Sequence, residues 1–248
     1  NHYKKEQILK HGDSLSEAEL ERILSLRPRR EKIAIKDVKL RTFITADQQR
    51  DDMVGHVYDV TYGVIRPGKD TLVVIDDSIV RGTTLKLSIL RILDRLKPKK
   101  IIVISSAPQI RYPDCYGIDM SKMKDFVAFQ ALLKLLEEHQ LEHKLEEAYE
   151  LAKVELQKPE AEMRNVLQDV YALFSDDQIS EKIAEIITPE EIQAEVEIMY
   201  QTIDDLHKAC PNDLGDWYFS GNFPTPGGFR VVNKAFVNFM EGVHERAY

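Results

Sequence analysis

Cysteine and long apolar runs are both scarce in this sequence, and each shortage excludes a class of protein. The 248 residues include two cysteines, Cys115 and Cys210, which are far apart and too few for a disulfide framework. No apolar run approaches the roughly 20 residues that a membrane helix needs, and no signal peptide opens the chain. We therefore expect a protein of the reducing cytoplasm with no membrane partner.

Positive charge is also in short supply. The sequence carries 34 Lys and Arg against 42 Asp and Glu, which gives a formal net charge of −8 at pH 7. A surface of that sign does not favour nucleic acid or an anionic membrane, although backbone amides can still form a local anion site. The hydrophobic content of 43% and the charged content of 31% are ordinary for a globular protein, so a folded core is expected.

Residues 71–104 carry the clearest structural pattern: a strand, a helix and a second strand. Thr71–Ile75 and Ile101–Ile104 are short, continuous apolar runs, which are typical of strands buried on both faces of a sheet. Apolar residues recur at helical spacing between the runs until Pro98, namely Leu85, Ile89, Ile92, Leu93 and Leu96. We predict a βαβ unit within a parallel sheet.

The segments on either side of this unit define the domain organisation. Ser16 and Glu19 have capping-box spacing at the start of a predicted helix. Helices are expected to continue through 161–208, with breaks near Ser175 and at Pro189, and the Gly-, Pro- and aromatic-rich stretch 214–230 is expected to form turns and an extended segment. The resulting division is a helical lead-in (1–30), a partial α/β core (31–125), a helical region (126–213) and a tail that packs on the core (214–248).

The string DDSIVRGTT at residues 76–84 directly follows the first apolar run. Two adjacent carboxylates, Asp76 and Asp77, repel each other unless a cation or hydrogen bonds compensate. Ligands of open α/β sheets bind at the carboxyl ends of the strands, and the start of a helix presents free N–H groups to anions. The string therefore predicts a site for a ligand that carries both hydroxyls and a phosphate. The plainer alternative is that Asp77 caps the helix while Asp76 is solvated.

The same string resembles the phosphoribosyl-pyrophosphate (PRPP) binding motif of type I phosphoribosyltransferases. Its exact residues are most similar to those of the amidophosphoribosyltransferase family. Three further segments resemble that family in the same order: RTFI at 41–44, APQIRYPDCYGIDM at 107–120 and FSGNFPT at 219–225. The resemblance implies a type I phosphoribosyltransferase-like parallel sheet of the α/β class. This sheet is expected to be incomplete at its N-terminus and to be followed by a mainly helical C-terminal extension, with a helical insertion at about 137–168.

The resemblance also implies roles for individual residues. Asp76 and Asp77 would hold the ribose hydroxyls and Mg²⁺, and Arg41 would act where the active-site strand enters a loop that closes over PRPP. The residues that would wrap the 5′-phosphate are Ser78, Ile79, Val80, Arg81, Gly82, Thr83 and Thr84. Arg111 and Tyr116 are candidates for contact with a phosphate or nucleotide, and ordinary packing is the alternative for both.

The reaction implied by the resemblance joins PRPP and glutamine-derived ammonia to give 5-phosphoribosylamine and pyrophosphate, the first step of de novo purine synthesis. Because residue 1 is Asn and neither cysteine is near the start, the glutaminase domain is expected either upstream in a longer parent chain or to be missing. We expect this part to be inactive alone, and the parent to be a homo-oligomer. Some family members hold an iron–sulfur cluster with four cysteines, so two cysteines predict none here.

Two other functions stay open. The segment 46–63 turns acidic at Asp51 and Asp52, where the family's loop is basic, and this change favours a non-catalytic, PRPP-binding regulatory module. His56 is a candidate donor in the same segment. A salvage phosphoribosyltransferase that acts on a free base is the other alternative.

Overall fold

The computed structural model describes residues 2–11, 15–27, 29–31, 33–36, 58–61, 63–114, 120–213 and 215–247. Its strands are β1 (Ala34–Lys36), β2 (Tyr58–Val60), β3 (Thr71–Asp76), β4 (Lys100–Ser105) and β5 (Glu195–Tyr200). Its α-helices are α1 (His2–His11), α2 (Glu17–Ser25), α3 (Leu90–Asp94), α4 (Val127–Glu138), α5 (His143–Glu155), α6 (Leu167–Tyr171), α7 (Asp176–Ile187), α8 (Ile203–Ala209), α9 (Trp217–Ser220) and α10 (Pro226–Met240). A π-helical turn at Leu85–Ile89 leads directly into α3, and 3₁₀ turns lie at Met123–Asp125 and Glu160–Glu162.

The main sheet consists of three parallel strands in the order β3-β4-β5. Their register aligns Asp76 with Ser105 and Ser105 with Tyr200, so the last residues of all three strands lie at one edge of the sheet. The chain passes from β3 to β4 through the π-turn and α3. The predicted strand–helix–strand unit and the α/β class with a partial parallel sheet are confirmed. β1 and β2 form a separate antiparallel pair.

The expectation that β3 is buried on both faces is wrong for the described residues. Leu72 on β3 and Ile101 and Val103 on β4 are buried on the face that is covered by helices. On the opposite face Val73 is 58% exposed and Ile75 is 73% exposed. A continuous apolar run has no alternation, so its pattern does not reveal that Val73 and Ile75 are exposed in the described structure.

A second correction concerns the C-terminal half, where helices with breaks near Ser175 and at Pro189 were expected over 161–208. Both breaks are confirmed, because α7 begins directly after Ser175 and ends at Ile187, but Glu195–Tyr200 is the third strand of the sheet and not a helix. Lys100 on β4 pairs with Glu195 at 2.7 Å and with Glu197 at 2.5 Å. These cross-strand pairs let an edge strand carry two glutamates.

The tail was also predicted incorrectly in part. Residues 214–230 were expected to form turns and an extended segment, whereas they contain α9 and the start of α10. Pro226 is the first residue of α10, where its missing N–H costs no hydrogen bond and its fixed φ suits a helix. Phe236 of α10 is fully buried in the core, and α10 packs against α5.

Local signals within the other helices are confirmed. The capping box of α2 is present: the Ser16 side chain accepts from the Glu19 N–H, and the Glu19 carboxylate accepts from the Ser16 N–H at 3.0 Å.

The core lies between the covered face of the sheet and α4 and α7, which pack on each other. The division of the chain at residues 125 and 213 stays a prediction.

Candidate functional site

Asp76 and Asp77 lie where β3 ends, at the carboxyl edge of the sheet. Asp76 Oδ1 accepts a hydrogen bond from the Asp77 N–H at 3.0 Å, and Asp77 Oδ1 accepts one from the Ser78 N–H at 3.0 Å. Both bonds come from the next residue along the chain. Among the described residues, no lysine, arginine or histidine pairs with either carboxylate.

Ser106 holds the backbone of this acid pair in place. Its N–H donates to the Asp76 carbonyl at 2.9 Å. Its hydroxyl lies 3.2 Å from the Asp76 carbonyl and 3.1 Å from the Asp77 carbonyl. Sequence reasoning did not identify Ser106, although its position directly after β4, at the edge shared with Asp76, was a usable signal.

The electrostatic setting of Asp76 is unfavourable to its charge. Burial, and secondly its side-chain hydrogen bond with Asp77, raise the pKa of Asp76 above the ordinary value for aspartate. Burial disfavours a charge, and a neighbouring carboxylate disfavours it further. A cation or hydroxyl donors brought by a ligand would relieve both penalties.

The loop after the acid pair is anchored by buried contacts on its inner side. Ile79 is 3% exposed, and the Val80 carbonyl accepts from the Val127 N–H at 2.8 Å. Gly82 has φ of +69°, and a Cβ at this position would lie 2.6 Å from Ile187 Cγ2. The conformation and the close packing both require glycine here.

The loop also contains backbone donors that the described residues do not use. The N–H groups from Ile79 through Thr84 donate to no acceptor in the described parts of the chain. The first helical residue, Thr83, follows Gly82 directly, so these donors lie at the start of the helix that contains the π-turn and α3. Successive free amides at the start of a helix form an anion-binding site.

The arginines near the site are already paired. Arg81 bonds to Asp125 at 3.2 Å. Arg111 is 14% exposed, donates to Gln109 and Asp176, and lies over the Tyr171 ring at 5.0 Å from its centre. Its contact with a phosphate therefore stays a prediction, while its packing role is observed.

Several predicted residues lie outside the described residues. These are Arg41, His56, Tyr116 and the acidic segment at Asp51 and Asp52. Their roles stay predictions.

The acid pair fits a magnesium ion that is shared with a ligand. The described residues contain no group of three or more His, Cys, Asp or Glu side chains that could hold a metal by themselves. Mg²⁺ usually takes one or two carboxylates together with water and substrate phosphates, and two carboxylates of that kind are what Asp76 and Asp77 supply. No helix in the described part of the chain is long and apolar enough to cross a membrane.

The fold and the site together resemble those of a type I phosphoribosyltransferase: a parallel sheet with two acids and an amide-rich loop at its carboxyl edge. Comparison with known proteins gives a more particular similarity. No family model matches the chain, but several curated proteins match part of it.

Relatives from two bacteria and a yeast share the name amidophosphoribosyltransferase. The protein from Pasteurella multocida is 45% identical over 58 residues, which cover 23% of this chain and 11% of that protein. The Escherichia coli (strain K12) protein is 37% identical over 89 residues, or 36% of this chain and 17% of that protein. The Saccharomyces cerevisiae protein is 45% identical over 62 residues, or 25% and 12%. The matched part of the chain thus spans less than a fifth of each relative.

Proposed function

We propose that this chain is the PRPP-binding part of an amidophosphoribosyltransferase, which forms 5-phosphoribosylamine and pyrophosphate from PRPP and glutamine-derived ammonia in purine synthesis. The observation that carries the proposal is that, within the described part of the chain, Asp76 and Asp77 pair with no cation and the amides of Ile79–Thr84 that follow them donate to no acceptor. The partial similarity to proteins named amidophosphoribosyltransferase supports the choice of enzyme. The glutaminase activity would belong to another part of the parent protein, which we expect to be a homo-oligomer.

The chain's own residues would act mainly by positioning. The carboxylates of Asp76 and Asp77 accept hydrogen bonds from the ribose hydroxyls, and the amides of Ile79–Thr84 donate to the 5′-phosphate. Fixing the ribose at both ends orients its anomeric carbon toward ammonia and lowers the entropic part of the barrier. Magnesium, when bound with the pyrophosphate, would supply positive charge for the leaving group. Ser106 keeps the acid pair in register with β4.

The test measures PRPP binding in the intact parent protein by calorimetry with magnesium present. Asp76→Asn is expected to weaken PRPP binding at least tenfold, or by about 1.4 kcal/mol, because the ribose hydroxyls lose a charged acceptor. Asp204→Asn is the matched control, since Asp204 is an exposed aspartate on α8 rather than at the end of β3. Unchanged affinity in Asp76→Asn would remove the site assignment.

A regulatory module that binds PRPP without turning it over is the second candidate, because Asp51 and Asp52 make its loop acidic. Turnover assays of the parent protein with PRPP and either glutamine or free bases separate the three functions. Product with glutamine supports the proposed enzyme, product with a base supports a salvage enzyme, and binding without product supports the regulatory module.

A further inference from the structure

A second concave surface lies along the free edge of β5 and contains none of the residues 76–84. We call it the β5 groove. The turn after β4, the first two turns of α7, β5 itself and the start of α8 enclose a volume of about 340 Å³. Peptide and ligand sites in proteins commonly begin at about this size.

The backbone of β5 offers unused hydrogen-bonding groups to this groove. The Glu195 N–H donates to the Lys99 carbonyl and the Gln201 N–H to the Ser105 carbonyl, so the odd-numbered residues face β4. The N–H groups of Val196, Ile198 and Tyr200 therefore point away from β4, and none has an acceptor within the described residues. A free strand edge of this kind pairs with an extended peptide.

Acidic side chains in the groove favour a basic peptide. Asp176 is paired with Arg111, and Glu197 is paired with Lys100. Asp177 and Glu181 also line the groove, lie one helical turn apart on α7, and pair with no cation in the part of the chain that is described. Like charges at this spacing destabilise a helix, so a bound cation would relieve a repulsion that the fold leaves in place.

The groove also has apolar lining, to which Ile198 and Phe219 contribute.

We propose that the β5 groove binds an extended basic segment of a partner protein. The segment adds a strand to β5 and places a lysine or arginine against Asp177 and Glu181. This inference is independent of the proposed function, because it uses neither the acid pair nor the loop that follows it.

The test uses the full chain and three fluorescent eight-residue peptides. The first alternates valine and lysine, the second alternates valine and glutamate, and the third is the valine–lysine peptide with N-methyl groups on alternate amides. The valine–lysine peptide is expected to bind at least tenfold more tightly than either of the others in fluorescence anisotropy. Equal binding of the glutamate peptide would overturn the charge argument, and equal binding of the methylated peptide would overturn strand addition.

A pair of protein variants tests whether the peptide binds at the β5 groove. The double variant Asp177→Asn/Glu181→Gln is expected to bind the valine–lysine peptide at least tenfold more weakly. Glu142→Gln/Glu146→Gln removes two exposed acids at the same spacing near the start of α5 and is expected to leave affinity unchanged. Equal loss in both variants would show attraction to the net negative charge alone and would overturn the proposal, as would absence of binding by the wild-type chain.

Discussion

The two ends of β3 carry aspartates in opposite electrostatic environments. At the amino end, Asp70 accepts from the Arg66 N–H at 3.0 Å, from Arg66 Nε at 2.9 Å and from Arg29 Nη1 at 3.2 Å. These bonds, led by the one from the Arg66 side chain, lower the pKa of Asp70 to about 2. At the carboxyl end, Asp76 has no cation in the described structure, and burial raises its pKa.

This contrast separates acids that serve the fold from acids that are available to a ligand. The fold pairs Asp70 with two of its own arginines, Arg29 and Arg66. It holds the backbone of Asp76 and Asp77 through Ser106 but, among the described residues, supplies neither carboxylate with a cation. The difference predicts that substitutions at the two ends will have different consequences for stability and for binding.

The largest expected difference concerns a glycine at each end of β3. Gly82→Ala is expected to lower the free energy of unfolding by about 2–4 kcal/mol, because a positive φ and a steric clash with Ile187 add together. It should also abolish detectable PRPP binding in the parent protein, since the loop amides move. Urea unfolding and calorimetry measure the two effects.

Gly68→Ala is the matched control for that substitution. Gly68 also has a positive φ, +67°, but a Cβ there would have no atom within 4 Å. Only the backbone cost of about 1–2 kcal/mol is expected, and PRPP affinity should not change. A Gly68→Ala variant as unstable as Gly82→Ala would show that packing against Ile187 is unimportant.

The next expected difference is between the acids themselves. Asp70→Asn should lower the melting temperature at pH 7, because Arg66 and Arg29 lose their charged partner, and should leave PRPP affinity intact. Asp76→Asn should raise the melting temperature or leave it unchanged, because it removes repulsion from Asp77. The same substitution should lower the affinity for PRPP. Thermal melts of both variants would contradict the comparison if Asp76→Asn were the less stable of the two.

A smaller effect is expected from the residue that holds the acid pair. Ser106→Ala removes a hydroxyl near two carbonyls but keeps the backbone bond to Asp76. The expected loss of stability is about 1 kcal/mol, with a several-fold loss of PRPP affinity. Ser25→Ala, which removes a hydroxyl bonded to a carbonyl in α2, is the control and should leave affinity unchanged.

The smallest effect is in the pH dependence of stability. Because the folded pKa of Asp70 is depressed, its contribution is present above its unfolded pKa of about 3.8 and is lost as pH falls through about 2. The folded pKa of Asp76 is raised, so its ionisation opposes folding, and that penalty develops as pH rises from the unfolded pKa of 3.8 to the folded pKa and is constant above it. Urea unfolding between pH 2 and 7 measures both effects. Asp70→Asn should have a lower free energy of unfolding than wild type at pH 7 and should approach the wild-type value as pH falls. Asp76→Asn should have an equal or higher free energy of unfolding at pH 7 and should also approach the wild-type value at low pH.

Much of the architecture was predictable because it depends on local patterns. The runs that form β3 and β4, the helical spacing between them and the capping box of α2 all depend on neighbouring residues, and the structure confirms them. β5 was missed because six residues with two glutamates do not look like a buried strand. Neither glutamate is buried, and their partner, Lys100, lies 95 residues earlier than Glu195, so no local pattern indicates the pairing.

The acid pair, the loop that follows it and the strand that places them at a sheet edge could be predicted from the sequence, because these features depend on residues within one short segment. Three other features come from the packing of distant segments: which face of β3 is buried, the pairing of Arg111 with Asp176, and the close approach of Gly82 to Ile187. The partners in these contacts are 65 and about 105 residues apart along the chain. No local periodicity carries that information, because such contacts form only when the helices and the sheet pack together.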